Sequence, residues 1–248
     1  MNSHPILSLS VLGVLFLLVP CFSPVQAMGK DTIATGSGPV EVGFIGHGSL
    51  VFFFQGKTVY IDPVAAYGDY SALPKADLIL LTHEHKDHLD PQTLSLIRKK
   101  DSVLIVTRAC ADRLKEGTVL ENGDVKEVLE ISIRAVPAYN LVHMRSEGQP
   151  YHPRGRGNGY VLTFGDKKIY VAGDTENVPE MKALRDIDVA FLPMNLPYTM
   201  TPEMVADAAA AFRPKILYPY HYGDTDPQRL RDLLKDEKDI EVRVRTLR

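Results

Sequence analysis

The chain lacks several features that would point to particular protein classes. Its 248 residues include only two cysteines, 28 basic side chains against 31 acidic ones, and no internal repeat or low-complexity tract. A net charge of −3 provides no basic surface for nucleic acid, so we expect no nucleic-acid partner. A hydrophobic content of 45% with 24% charged residues is typical of a globular protein with an ordinary core.

No apolar run reaches the length of a comfortable membrane span, which is about 20 residues. The longest run, residues 6–19, is followed by Pro20 and by the small-residue pattern Val25-Gln26-Ala27. This layout predicts a secretory signal peptide over residues 1–27, cleaved after Ala27, and a periplasmic or secreted protein with no stable membrane span. The residues before the run include no Lys or Arg, so an uncleaved hydrophobic anchor and a mis-assigned start remain open.

Cleavage there would remove one of the two cysteines, Cys21, whose lipidation also remains open although the preceding Pro20 disfavours it. Cys110 would then have no intramolecular disulfide partner, and we interpret it as a buried structural thiol. Residues 28–248 are predicted to form a single domain.

The order of secondary structure in this domain predicts an α/β fold. After a polar leader, 29–38, the first strands are separated by glycine-bearing turns, and the next strands alternate with helices. This order of elements then occurs a second time along the chain. It predicts a four-layer αβ/βα sandwich of two mixed β-sheets with outer helices and internal two-fold character. Residues 138–158 are predicted to be an irregular functional loop. The predicted strands are 40–45, 50–54, 58–61, 78–81, 103–107, 126–129, 131–137, 160–164, 168–172, 189–192, 216–218 and 240–244, and the predicted helices are 91–99, 109–115, one opening at 201–203, and 227–234.

A dense group of candidate metal ligands follows the predicted strand 78–81. His83, His85, Asp87 and His88 lie within six residues, and they include three of the eight histidines in the chain. A solvated loop is the alternative, but that concentration favours a metal site. Side chains two residues apart can point the same way, so His83 and His85 can share one metal while Asp87 and His88, past a bend, face a second. Imidazole and carboxylate ligands suit zinc and related metals.

This stretch resembles the HxHxDH motif of the metallo-β-lactamase superfamily. Two later positions match the same resemblance, each after a predicted strand: Asp174 behind Ala172-Gly173, and His221 within Pro219-Tyr220-His221-Tyr222-Gly223. The resemblance implies that Asp174 bridges two metals and that His221 completes the second.

The remaining ligand of the first metal departs from the family pattern, because Asn140 stands where a histidine is usual. Either His152 or His143, both in the long loop, can replace it. We favour His152, because residues 152–160 resemble a loop found in a branch of small hydrolases. His143 is the second choice, and the side-chain oxygen of Asn140 is the third.

The wider order of motifs resembles the branch that contains ascorbate-6-phosphate lactonase-like and N-acyl-phosphatidylethanolamine phospholipase D-like proteins. True β-lactamases of the superfamily lack the bridging aspartate, its nucleases carry an extra domain, and its flavodiiron-type members replace a motif histidine with glutamate. The motifs are Gly46-His47-Gly48-Ser49, Ile61-Asp62-Pro63, Thr82–His88, Ala172-Gly173-Asp174-Thr175 and Pro219–Gly223.

The resemblance implies a hydrolase with two divalent metal ions that attacks a small ester, lactone or phosphodiester with a metal-bound hydroxide. Zinc is expected, with manganese or iron open, and Asp87 is a candidate to accept a proton. A non-catalytic extracytoplasmic metal-binding protein is the alternative, and the oligomeric state remains open.

We expect Asp62 to hydrogen-bond a ligand histidine and leave His47 as either a site-lining or a turn residue. Candidates to hold an anionic substrate are Arg154, Arg156, Tyr198, Tyr220 and Tyr222.

Overall fold

The computed structural model describes Met1 and residues 28–247. The predicted signal peptide, with its cleavage site and Cys21, therefore lies outside the described residues apart from Met1. Within the described ranges, no helix is long and apolar enough to cross a membrane. The described chain forms two mixed β-sheets with helices, which confirms the predicted fold class.

The first sheet begins with antiparallel hairpins and continues with parallel strands, because helices connect the later strands. Its seven strands, in spatial order, are β1 (Gly29–Ile33), β2 (Val40–Gly46), β3 (Ser49–Phe54), β4 (Lys57–Ile61), β5 (Leu78–Leu80), β6 (Val103–Val106) and β7 (Thr118–Val119).

The second sheet repeats this arrangement of four antiparallel strands followed by parallel ones. This repetition is the internal two-fold character expected from the sequence. Its strands, in spatial order, are β8 (Val125–Val128), β9 (Ile131–Ala138), β12 (Gly157–Phe164), β13 (Lys167–Val171), β14 (Val189–Pro193), β15 (Ile216–Tyr220) and β16 (Glu241–Val242), while β10 (Met144–Ser146) and β11 (Gln149–Pro150) form a separate two-stranded hairpin.

Alternation along the strands places the core between the two sheets. Phe52 and Phe54 of β3 face inward, where their rings lie 5.7 and 5.3 Å from Phe164 on the second sheet. The intervening and neighbouring outward residues, such as Val51 of β3 and Ile79 of β5, belong to a second apolar cluster beneath the helices. Both faces of the sheet are therefore buried, as expected where helices cover it.

Helices begin where the sequence supplies a capping residue and proline. Asp90 accepts a hydrogen bond from the backbone N–H of Gln92 (3.0 Å) ahead of Pro91, and Thr201 caps a later helix in the same way. The helices are α1 (Pro91–Ile97), α2 (Arg108–Leu114), α3 (Pro179–Lys182), α4 (Pro202–Phe212) and α5 (Pro227–Leu233).

Two predictions about irregular segments were wrong in part. The polar leader contains β1, an edge strand that pairs antiparallel with β2 and has only Ile33 buried. A strand with one buried side chain lacks the apolar alternation that marks strands in a sequence. The long loop is shorter than expected, because β9 continues to Ala138, β12 begins at Gly157, and β10 and β11 form a hairpin between them. The short β7 and α3 were also not predicted.

Candidate metal centre

The ends of three parallel strands bring the predicted ligands together. The motif containing His83 and His88 follows β5, Asp174 follows β13, and His221 follows β15 directly. Carboxyl ends of parallel strands share one edge of a sheet, and the two sheets meet at this edge, where the backbone N–H of Asn158 donates to Thr82 O (2.9 Å).

A glycine allows Asp174 to approach the motif loop. Gly173 has a φ of +66°, and a Cβ at this position would lie 2.8 Å from Asn158 O and 3.1 Å from Thr82 Cβ. Any larger residue would push the two strand ends apart, so the close approach requires glycine at position 173.

Three polar residues around the site have left-handed backbone conformations. His47, Asp62 and His221 have φ values of 52°, 43° and 49°. Such conformations cost a non-glycine residue about 1–3 kcal/mol and tend to occur at functional sites. The backbone at these three positions therefore adopts an unfavourable conformation that places the three side chains at the site.

One group of ring nitrogens comes from His83, His85 and His152. Their donor atoms all lie within 4.8 Å of one another. His83 Nε2 and His85 Nδ1 are 3.1 Å apart, and the rings of His85 and His152 have centroids 4.9 Å apart. The structure thus places the favoured candidate from the long loop beside the first two motif histidines.

A second group combines Asp87 and His88 with His221 and His47, again with donor atoms within 4.8 Å. Asp87 Oδ2 lies 3.6 Å from His221 Nε2, 3.8 Å from His88 Nε2 and 3.3 Å from His47 Nε2. The bend in the motif is the reason for the split, because His88 N and Leu89 N both donate to His85 O.

Asp174 lies between the two groups and contacts members of both. Its Oδ2 atom is 3.3 Å from His152 Nε2 and 3.4 Å from His221 Nε2, and its Oδ1 atom is 3.4 Å from His88 Nε2. The same carboxylate is 3.9 Å from His83 Nε2. All seven predicted ligands therefore converge, and the Asp174 carboxylate contacts both groups.

The distances between the donor atoms match those around a bound divalent ion, and several of these atoms have no hydrogen-bond partner. A tetrahedral zinc with bonds of 2.0–2.2 Å holds its ligand atoms about 3.3–3.6 Å apart, close to most of these separations. Within residues 28–247, several buried donor atoms of the site have no hydrogen-bond partner, which is costly unless another group satisfies them. These atoms are His88 Nε2, His152 Nε2, Asp174 Oδ1 and both ring nitrogens of His221.

Neighbouring groups fix which nitrogen His88 and His152 present. His88 Nδ1 lies 2.7 Å from Asp62 Oδ2, and His152 Nδ1 lies 2.7 Å from Asn140 Oδ1. A ring that donates through Nδ1 keeps the Nε2 lone pair for a metal, as is usual for metal-binding histidines. Asp62 thus makes the contact expected from the sequence.

The other candidates for the first group have different positions. The Asn140 side-chain oxygen accepts from both the backbone N–H and the ring of His152, so it orients that ring. His143 Nδ1 lies 2.7 Å from Glu176 Oε1 and belongs to neither group of clustered donors.

His47 was left undecided by sequence reasoning, and the structure places it against the second group. Its ring centroid is 3.7 Å from that of His221, and it also stacks on Tyr67 at 4.4 Å. The sequence offered one signal for His47, its position in a glycine turn at the end of a strand. Many turn residues without a role in a site share that position, so the signal could not identify His47.

Burial and charge keep His83 and Asp174 in the form that binds metal. Burial holds the pKa of His83 well below its usual range, so the ring is neutral near pH 7. Burial would raise the pKa of Asp174, but the neighbouring His221 and His88 hold it well below its usual range. Neutral imidazole and ionised carboxylate are the forms that coordinate metals.

The site opens to solvent through a narrow crevice of about 10 Å³, whose lining includes His83, His85, His152, Asp174 and Tyr151. A larger groove of about 760 Å³ lies beyond Tyr67, and none of the predicted ligands lines it.

The candidates for anion binding do not converge on the crevice. Arg154 and Arg156 pair with Glu180 and Glu84, while Tyr220 and Tyr222 are buried. Tyr198 is 45% exposed beside Tyr151, with ring centroids 5.1 Å apart. Of these five candidates, Arg156 lines the crevice and Tyr198 contacts Tyr151, which lines it.

Comparison with known proteins gives consistent relatives. A protein of Lysinibacillus sphaericus described as a metal-dependent hydrolase is 31% identical over 80% of this chain and 94% of its own length. A structure from Parabacteroides distasonis, described as a candidate metal-dependent hydrolase, is 49% identical with a TM-score of 0.85 and covers 89% of this chain and all of its own. A metallo hydrolase of Ignicoccus hospitalis, 23% identical over 83% of this chain and 94% of its own, shares the fold with a TM-score of 0.68.

The family model described as "Beta-lactamase superfamily domain" matches residues 41–221, which run from β2 to the last predicted ligand. This range contains every residue of the two donor groups and both sheets apart from their edges. The superfamily prediction made from the motifs is confirmed, and this chain belongs to the metallo-β-lactamase superfamily.

Proposed function

We propose that this protein is a hydrolase that uses two divalent metal ions, most simply zinc, to cleave a small ester, lactone or phosphodiester. The coarser class, a metal-dependent hydrolase, follows from the superfamily and from the names of the relatives. The observation that carries the finer proposal is the pair of donor groups that share the buried Asp174. No serine, cysteine or lysine nucleophile is needed in this proposal. Cys110, the one cysteine described, is buried, and burial raises its pKa to about 12.

His83, His85 and His152 would hold one ion, and Asp87, His88 and His221 the other, with Asp174 between them. Ions bound there would acidify a water molecule and polarise the oxygen of the substrate. Asp62 and Asn140 would keep the His88 and His152 rings oriented, so the site is built before substrate arrives.

Asp87 is the proposed proton acceptor and orienting group for the attacking water. Its side chain is 39% exposed, whereas that of Asp174 is 3% exposed, so Asp87 is the ligand carboxylate that solvent and substrate can reach. Its contact with His47 Nε2 at 3.3 Å offers a route by which a proton can leave the site.

Elemental analysis of residues 28–248 tests the proposal, with His152→Ala and His143→Ala as a matched pair from one loop. We expect about two metals per chain in the parent and in His143→Ala, and about one in His152→Ala. The parent should also turn over at least one compound in a panel of esters, lactones and phosphodiesters.

Other results would contradict the proposal. One metal or none in the parent, or a loss in His143→Ala alone, would overturn the ligand assignment. Full loading without turnover across the panel would instead favour the non-catalytic extracytoplasmic metal-binding protein.

We further propose that the protein is exported and that its signal peptide is cleaved after Ala27, on the sequence pattern described above. Mass spectrometry of the protein isolated from cell fractions tests this. A mature chain that starts at Met28 supports both export and the cleavage site. An intact amino terminus in the cytoplasm contradicts export, and a lipid on Cys21 contradicts cleavage after Ala27.

A further inference from the structure

Exposed apolar side chains concentrate on two segments beside the metal centre. In the range 28–247, seven large hydrophobic side chains are strongly exposed, and only Leu96 and Val125 lie elsewhere. Solvent-exposed apolar groups that cluster in this way usually mark a binding surface. The other five, which we call the apolar rim, are Leu141 (47% exposed), Val142 (69%), Met144 (40%), Leu196 (47%) and Tyr198 (45%).

The two segments of the apolar rim are joined to each other and to the crevice. Asn140 Nδ2 donates to Tyr198 O (2.9 Å), and the same Asn140 orients His152. The ring of Tyr198 meets that of Tyr151, which lines the crevice with His83 and His152. The rim is therefore continuous with the mouth of the metal centre.

The apolar rim is held outward by a buried carboxylate. Glu176 is fully buried and accepts backbone N–H bonds from Leu141 (2.7 Å), Val142 (2.8 Å) and His143 (2.7 Å). Because the polar backbone faces inward, the side chains of Leu141 and Val142 must face solvent. Without these hydrogen bonds, the hydrophobic effect would favour a loop conformation in which the two side chains pack against the core.

The crevice is too small to contain a substrate. Its volume of about 10 Å³ has room for roughly one water molecule, whereas small-molecule sites usually measure about 300–1,000 Å³. Only the reacting bond can enter, so the rest of the substrate must lie on the surface around the mouth. On one side that surface is the apolar rim.

We propose that the apolar rim binds the apolar part of the substrate, so the substrate is an ester-type compound with an acyl or alkyl chain of several carbons next to the bond that is cleaved. This inference rests on the proposed function and narrows it. A second copy of the chain or a lipid surface seated on the rim would cover the mouth of the crevice, which favours the substrate as the occupant.

Two series of probes, p-nitrophenyl alkanoates and p-nitrophenyl alkyl phosphates, each from two carbons to ten, test the proposal. Leu141→Ser and Leu196→Ser remove rim contacts, and Leu96→Ser is the matched control, because Leu96 is 46% exposed on α1. In the parent, kcat/KM should rise with chain length by at most roughly fourfold for each methylene that becomes covered. The rise should flatten in both rim variants, with the shortest probe unaffected, and persist in Leu96→Ser.

Several results would overturn the inference. These are a kcat/KM that does not depend on chain length in the parent, or an unchanged rise in both rim variants. A dimer in light scattering that the rim variants dissociate would assign the rim to a second copy, and rim-dependent binding to phosphatidylcholine vesicles would assign it to a membrane. If neither series is cleaved, the ester and phosphodiester forms of the proposed function fail separately from the rim, and calorimetric binding of decanoate, compared with acetate, still tests the rim.

Discussion

At the scale of single residues, the metal centre depends on side chains that would never touch a metal. Asp62 accepts from the ring of His88 and from both the N–H (2.8 Å) and the hydroxyl (2.5 Å) of Thr82, and Thr82 Oγ1 in turn lies 3.0 Å from His83 Nδ1. One carboxylate therefore orients a histidine of each donor group. Its 1% exposure means that nothing in solvent can replace it.

We expect Asp62→Asn to weaken metal binding by about 10–100-fold, the usual cost of losing such an orienting group. An amide presents only one acceptor atom, so its NH₂ group would face a donor of either Thr82 or His88. Chelator competition with zinc measures the effect. Asp77→Asn is the control, because Asp77 also caps a strand end by accepting from Thr58 N (2.9 Å) yet has no contact with the site. Equal affinities for Asp62→Asn and the parent would show that Asp62 has no orienting role.

At the scale of elements, one side chain determines the shape of the loop that follows β9. Besides the three backbone N–H groups, Glu176 accepts from Asn140 Nδ2 (3.0 Å). It comes two residues after Asp174, so the segment that supplies the central carboxylate also anchors the loop that orients His152. The loop and the ligand segment therefore behave as one unit.

We expect Glu176→Gln to loosen this unit, because the amide nitrogen cannot accept from the backbone. Each buried N–H left without an acceptor costs about 1–3 kcal/mol, and hydrogen exchange at residues 141–143 should accelerate. Glu180→Gln is the control, since Glu180 bonds Arg154 (2.6 Å) and Tyr139 Oη (3.0 Å) near the same loop without binding its backbone. Equal exchange in the two variants would contradict the anchoring role.

At the scale of the whole molecule, the site joins the two sheets. The first sheet supplies His47 and the motif histidines, and the second supplies Asp174 and His221, so metal ions would link the two halves of the core. Ligands that bind only the folded state stabilise it by mass action. Removal of metal should therefore lower the melting temperature of the entire domain.

The charge state of this shared site predicts a pH dependence. Burial lowers the pKa of His88, but the carboxylates of Asp174, Asp62 and Asp87 outweigh burial and raise it to about 9. Because this value exceeds the roughly 6.5 of an unfolded histidine, the proton stabilises the metal-free fold below about pH 6.5. That contribution is lost as the pH rises through about 9.

A metal that binds His88 must displace this proton, so zinc affinity should increase with pH up to about 9, and binding near pH 7.5 should release a proton. Calorimetry in two buffers of different ionisation enthalpy measures the release. His88→Gln should reduce it, whereas the matched change His143→Gln, outside both groups, should not. Identical heats in the two buffers would contradict a charged His88.

The sequence by itself determined the fold class and the first four ligand candidates, because these depend on local patterns, and the resemblance to the superfamily added Asp174 and His221. The run 78–81, the cap Asp90-Pro91 and the spacing of His83, His85, Asp87 and His88 each act over a few residues. Strand alternation likewise predicted the order of elements. What escaped prediction carries little local signal, such as β1, whose single buried residue depends on pairing with β2.

Only the tertiary structure decided which of Asn140, His143 and His152 meets the motif histidines. The three lie in one segment between β9 and β12, and the choice depends on Glu176, which lies farther along the chain. Glu176 contacts His143 and bonds Asn140, while Asn140 orients His152. The placement of His47 against His221 and the exposure of the apolar rim also depend on contacts between segments that are distant in the chain. Contacts between distant segments, stabilised by burial and buried hydrogen bonds, have no counterpart in a local pattern.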